Sequence, residues 1–341
     1  RGGRGDPFRE ADADRRMSDA RNAPRSSVWQ RALPWLVTLA CFGFLYGRLA
    51  AAAGAHGASL SAYLGGVFAR VAWTRWLALM VPYSAFYLLV DSLVTWRVVS
   101  WFNAPVRFAD ILPIRASAYI LSIVNEQVGK GAIGLYLHRR DGIPGWQVAS
   151  SLLFIMFCEF YYLLGWASLG VALRGETLPA VFHWIPWILA AAMIFFAVWV
   201  TWLRGAIAAG ARLRDGQLLH AFRQARPWHY AVIVAMRSPA LLAAVVVYTR
   251  ALGLFGVEVS PLDMLGILPV IFFGAATPGP MRGVAIVLWV TLFPDHAGEM
   301  AAFGLVHHNV FILFNAAIGL LFLRRANREL FARAAGATPS S

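Results

Sequence analysis

Asp91, Glu126, Lys130, Glu159, Arg237, Arg282, His307 and His308 all lie inside or beside long apolar runs. An ionised group at the centre of a membrane helix costs at least about 2.5–3.5 kcal/mol, so such residues are usually paired or lining a polar site. Two clusters stand out. In Asn125-Glu126-Gln127-Val128-Gly129-Lys130-Gly131, Glu126 precedes Lys130 by four, the spacing at which the two share a helix face. Lys130 is the one lysine beside 29 arginines, which marks a position where the arginine fork is not equivalent; the bland reading is a lysine snorkelling to the interface. In Thr277-Pro278-Gly279-Pro280-Met281-Arg282-Gly283, two prolines and two glycines forbid a regular helix. Free amides and a cation at a helix start suit an anionic headgroup, and a plain loop fits the same residues. Glu159 and Arg237 are each placed to meet a ligand or to lock two helices as a buried pair. Gly304, His308 and Asn315 share one face of the last apolar run, where polar groups commonly bond across helices. His307 and His308 point to different faces, so no zinc site is expected, and no catalytic triad, metal set or nucleotide motif is found.

These residues need an apolar scaffold. The chain is 59% hydrophobic and 14% charged, with a mean hydropathy of +0.61, outside the range of a soluble domain of this length. Six runs are long enough to span a bilayer: Leu33–Ala53, Trp76–Thr95, Ser150–Leu173, Trp184–Leu203, His229–Thr249 and Glu299–Leu323. Tryptophans such as Trp76, Trp101, Trp146, Trp184, Trp202 and Trp228 sit near their ends, at headgroup level. Two more runs, Ile111–Leu137 and Leu262–Leu292, are broken by Gly and Pro and read as re-entrant or discontinuous segments, since irregular backbone at membrane depth must be shielded by protein or water. The expectation is an all-α polytopic membrane protein, with kinked spans as the alternative for the broken segments.

The net charge of +13 suggests nucleic acid only if it gathers on one polar face; here the arginines fall in short segments between apolar runs, so no nucleic-acid partner is expected. With the N-terminus inside and both broken segments re-entering, 23 of the 30 Lys and Arg fall inside and 6 outside, which places both termini in the cytoplasm. The unit of span, broken segment and span then occurs twice with opposite orientation, over about residues 76–173 and 229–323, the inverted repeat with which many transporters build a midplane site. Residues 1–30 read as a disordered cytoplasmic tail with Met17 a candidate start, 31–325 as one transmembrane domain, and 326–341 as a cytoplasmic tail. Cys41 and Cys158 lie in apolar runs and suggest no disulfide framework.

At its two glycine-rich segments the chain resembles the membrane region of lysylphosphatidylglycerol synthase/flippase proteins, a family that includes stand-alone flippase-like members. Asn125 through Gly134, followed by His138-Arg139-Arg140-Asp141-Gly142-Ile143, resembles the family's first Gly-rich segment and its basic residues, and Thr277 through Gly283 its later Pro-Gly-Gly type segment. The first lacks the family's proline and following Glu, and Pro280 stands where glycine is usual. The similarity covers about residues 30–325. It implies movement of a phospho- or polyprenyl lipid between leaflets of a bacterial cytoplasmic membrane, with membrane lipids as partners, no cofactor or metal, and no aminoacyl-transferase domain. Candidate headgroup residues are Asn125, Glu126, Lys130, Glu159, Arg237, Arg282 and His308, with Gly129, Gly131, Pro278, Gly279, Pro280 and Gly283 shaping the backbone. The rival readings are a membrane enzyme using Glu126, Glu159 or His308 as acid or base, and an accessory subunit whose charges pair with a partner.

Overall fold

The structure, a computed structural model, describes residues 28–122, 133–135, 137–139, 142–206, 210–276 and 283–331. Every regular element among the described residues is helical. Each expected span coincides with a helix, most of them extended at their ends. Leu33–Ala53 lies within α1 (Val28–Ala55), so the chain is helical three residues before the expected end of the tail at residue 30. Trp76–Thr95 lies within α3 (Trp73–Phe102) and Ser150–Leu173 within α5 (Gly145–Arg174). Trp184–Leu203 corresponds to α6 (Ile185–Leu203), His229–Thr249 to α9 (Pro227–Gly253), and Glu299–Leu323 to α12 (Ala297–Phe331), which runs on into the expected C-terminal tail. Five helices among the described residues are long and apolar enough to cross a membrane, and the Leu39–Ala55 part of α1 is a shorter apolar helix. The chain is an all-α, polytopic membrane protein.

Three short helices were not anticipated: α2 (Leu60–Arg70), α7 (Ala211–Arg214) and α8 (His220–Gln224). The Ser59 hydroxyl caps α2 by accepting the Ala62 N–H, and Tyr63 and Val67, four apart, form its buried face. The described flanks of the two broken segments are helices too: α4 (Phe108–Ser122) in the first, and α10 (Pro261–Ala276) and α11 (Gly283–Leu292) in the second. Their Gly/Pro-rich centres lie outside the described residues.

The two units pack as an exchanged pair. α4 packs chiefly on α12 of the second unit, and α10 packs chiefly on α5 of the first; α3 and α9, the first span of each unit, pack on each other. Exchanging the units maps the first two of these contacts onto each other and the third onto itself. The α3–α9 pair is antiparallel: Trp73 at the start of α3 meets Phe255 just past α9, with ring centroids 6.3 Å apart, and Trp101 at the end of α3 meets Trp228 at the start of α9, at 5.3 Å. Hence the units run in opposite directions, as an inverted repeat requires.

Small residues set how closely these helices approach. Gly170 of α5 lies against the backbone of Gly266 of α10, where an added methyl would collide with main-chain atoms, and Gly319 of α12 meets the carbonyl of Ala116 of α4 in the same way. A polar clasp closes the first contact: Asp263 receives Arg174 Nε at 3.0 Å and the Thr177 and Ser260 hydroxyls at 2.6 Å each. Gly170→Leu is therefore expected to overpack this interface by about 1–3 kcal/mol and to lower the melting temperature in detergent, followed by tryptophan fluorescence. Gly165→Leu, with open space where its Cβ would stand, should melt near the wild type.

Candidate functional site

Asp91 sits roughly 16 Å from the nearer end of α3, with its side chain 3% exposed. A carboxylate at that depth requires partners, and two other helices supply them. Arg115 of α4 donates from Nε to Asp91 Oδ2 at 2.5 Å, and the Tyr119 hydroxyl, one turn further along α4, donates to the same oxygen at 3.1 Å. Arg237 of α9 places Nη2 3.0 Å from Oδ1, so both carboxylate oxygens are engaged. The Arg115 guanidinium also lies 5.2 Å from the centre of the Tyr119 ring.

Arg237 reaches a second acid less closely. Its Nη1 is 3.9 Å from Glu159 Oε1 on α5, beyond hydrogen-bond range, and its buried Nε has no hydrogen-bond partner among the described residues. Glu159 is one-third exposed whereas Arg237 is almost fully enclosed, at 33% against 5%. The quartet of Asp91, Glu159, Arg115 and Arg237 is formally neutral, with a tight inner half and a loose outer half.

The quartet lines a cavity of about 300 Å³ bounded by both units: Tyr83 and Tyr87 of α3, Tyr162 of α5, Tyr248 of α9, Phe272 and Phe273 of α10, and His308 and Phe311 of α12. Aromatic rings form much of the wall, and Tyr83 packs on both Tyr248 and Phe311 with centroids 5.8 and 6.0 Å apart. Behind them the Tyr248 hydroxyl hydrogen-bonds His307 Nε2. On the α5 side, Met156 and Phe160 line the cavity and are exposed on the outer surface of the helix bundle, so the wall is open laterally there.

The structure thus brings together three of the expected headgroup residues, Glu159, Arg237 and His308, with Asp91 beside them. Asn125, Glu126, Gly129, Lys130, Gly131, Pro278, Gly279, Pro280 and Arg282 lie outside the described residues. Gly283 begins α11 and packs against Cys41 of α1, away from the cavity. The buried lock is weighted differently from the simple Glu159–Arg237 pair: Asp91 is the nearer partner of Arg237, and Arg115 completes it. Arg115 and Tyr119 were missed, although an arginine followed one turn later by tyrosine within Ile111–Leu137 is a visible signal. Gly304 and Asn315 share the face with His308 as expected, but Gly304 packs against Ile286 and Trp289 of α11. No family model, curated protein or solved structure matches the chain.

Removing one member of a buried ion network leaves the rest uncompensated, at a cost of about 3–5 kcal/mol. Arg115→Gln is expected to fall in that range, read as loss of thermal stability in detergent. Glu159→Gln, outside hydrogen-bond distance and partly exposed, should stay within about 1 kcal/mol of the wild type.

Proposed function

We propose that this protein moves an amphipathic, phosphate-bearing lipid between leaflets, holding the headgroup in the central cavity while the acyl chains stay in the bilayer. The observation that carries this reading is the loose Arg237–Glu159 pair at 3.9 Å on the wall of a laterally open cavity. A phosphate can take up the free hydrogen-bonding capacity of Arg237, a charge-assisted contact of the strong kind. Glu159 keeps the cavity's charge balanced or meets a cationic part of the headgroup. The antiparallel units on either side supply what alternating exposure to the two leaflets needs.

The tight inner half has the complementary role. Asp91, Arg115 and Tyr119 hold Arg237 from behind, so the guanidinium is positioned before the lipid arrives and little ordering is required on binding. This is a translocator rather than an enzyme, related to the membrane region of lysylphosphatidylglycerol synthase/flippase proteins. The distribution of arginine favours both termini inside, and the resemblance points to a bacterial cytoplasmic membrane.

Purified protein in liposomes should speed the exchange of fluorescently labelled phospholipids between leaflets, read by quenching from the outer side. Glu159→Gln raises the cavity's charge by one, so the rate ratio of an anionic to a zwitterionic lipid should shift by at least about tenfold, equivalent to about 1.4 kcal/mol. Exchange no faster than in protein-free vesicles would reject the reading. Recovery of a covalently altered lipid would favour a membrane enzyme in its place.

A further inference from the structure

A second groove, of about 450 Å³, lies where Gly134, Leu135 and His138 face the first turns of α5. Its walls are Gly134, Leu135 and His138 on one side and Val148, Ala149 and Leu152 on the other. Leu152 also lines the central cavity, so the two spaces share a side chain. On α5 the positions continue as Ala149, Leu152, Met156 and Glu159, steps of three and four that keep to one helix face. From Ala149 to Glu159 the rise is about 15 Å, about half of a hydrocarbon core near 30 Å thick. The seam therefore leads from the membrane surface to the depth of the charged quartet.

Its chemistry differs along its length. At the outer mouth stands the exposed His138, next in the chain to the exposed Arg139, with the His138 ring held on the turn by a 3.1 Å contact between Nδ1 and the Ile143 carbonyl oxygen. At the inner end stand Glu159 and Arg237. Between them the described walls are apolar, and Gly134 and Ala149 keep them low. The open side faces outward, where Leu135 is 48% exposed and Met156 and Phe160 are each 41% exposed. A larger cleft of about 730 Å³, bounded by Trp146, Trp199, Trp202 and Leu213, shares none of its lining residues with the central cavity and gives no such passage.

We propose that this seam is the lateral portal by which a phospholipid of the adjoining leaflet enters the central cavity, with Leu152 as its gate. The phosphate meets N–H donors at the His138–Arg139 end and again at Arg237, and the headgroup slides along α5 while the acyl chains remain outside, beside Met156 and Phe160. Each feature fits one occupant: a polar group at both ends, an apolar midsection, and a side open to hydrocarbon. The inference rests on the lipid-translocating reading of the cavity.

Two measurements test the portal. With Cys41 and Cys158 replaced by serine, Leu152→Cys and Leu153→Cys are compared in liposomes containing a phosphatidylethanolamine with a maleimide on its headgroup. Residues 152 and 153 sit at nearly the same depth, but Leu153 points outward and lines neither space. The portal predicts that position 152 reacts at least tenfold faster, because only there does a headgroup reach that depth; equal rates overturn it. In the leaflet-exchange assay, Leu152→Trp should slow translocation at least tenfold and Leu153→Trp should leave it within twofold; wild-type exchange by Leu152→Trp would also overturn the portal. If Leu152→Cys labels selectively over Leu153→Cys and yet the wild type exchanges no lipid, the groove stands and the translocating function fails.

Discussion

A single carboxylate deep in an apolar bundle organises much of this protein. Isolated in hydrocarbon, Asp91 would be prohibitively unfavourable as an anion, so folding must deliver partners to both of its oxygens. They come from α4 and α9, one in each repeat, and α3, α4 and α9 are thereby drawn to one point. Lipid gives no hydrophobic drive for helices to associate, so close backbone approach and polar contacts do that work. Gly170 against Gly266 and Gly319 against Ala116 provide the approach, and the Asp91 network with the Asp263 clasp provides the polar contacts.

The same constraint separates structure from action within the quartet. Asp91, Arg115 and Tyr119 are committed to one another at hydrogen-bonding distances. Arg237 is shared, held by Asp91 and only loosely by Glu159, so its outward side is the part of the network a ligand can claim. A rigid interior and an adaptable outer edge is the arrangement expected where a charged headgroup must bind and then leave.

Much of this was legible in the sequence. The spans could be read because bilayer thickness fixes a length that few soluble helices combine with such composition; α3, α5, α9 and α12 contain the expected runs with extensions, and α6 matches its run to within one residue. Asp91, Glu159 and Arg237 were conspicuous because each interrupts an apolar run. Their ranking was not legible: whether Arg237 prefers Asp91 or Glu159 depends on distances between helices, which spacing along one chain does not encode. Arg115 escaped notice because glycine and the lone lysine drew attention within the same broken segment, while its pairing depends on a residue 24 positions away. The short α2, α7 and α8 were missed because one to three helical turns between spans carry little periodic signal. The groove beside α5 emerged only from structure, since it combines one face of α5 with Gly134, Leu135 and His138.

The account depends most on Asp91 and Arg237 joining the two repeats directly. A double-mutant cycle of Asp91→Asn, Arg237→Gln and the combined variant, read by reversible unfolding in detergent or lipid bicelles, measures that bond. Strong coupling is predicted, near the upper end of the range of about 0.5–3 kcal/mol seen for contacting residues, with the double variant more stable than the sum of the single losses implies. Losses that add to within about 0.5 kcal/mol would show that the two side chains do not meet, and would contradict the account.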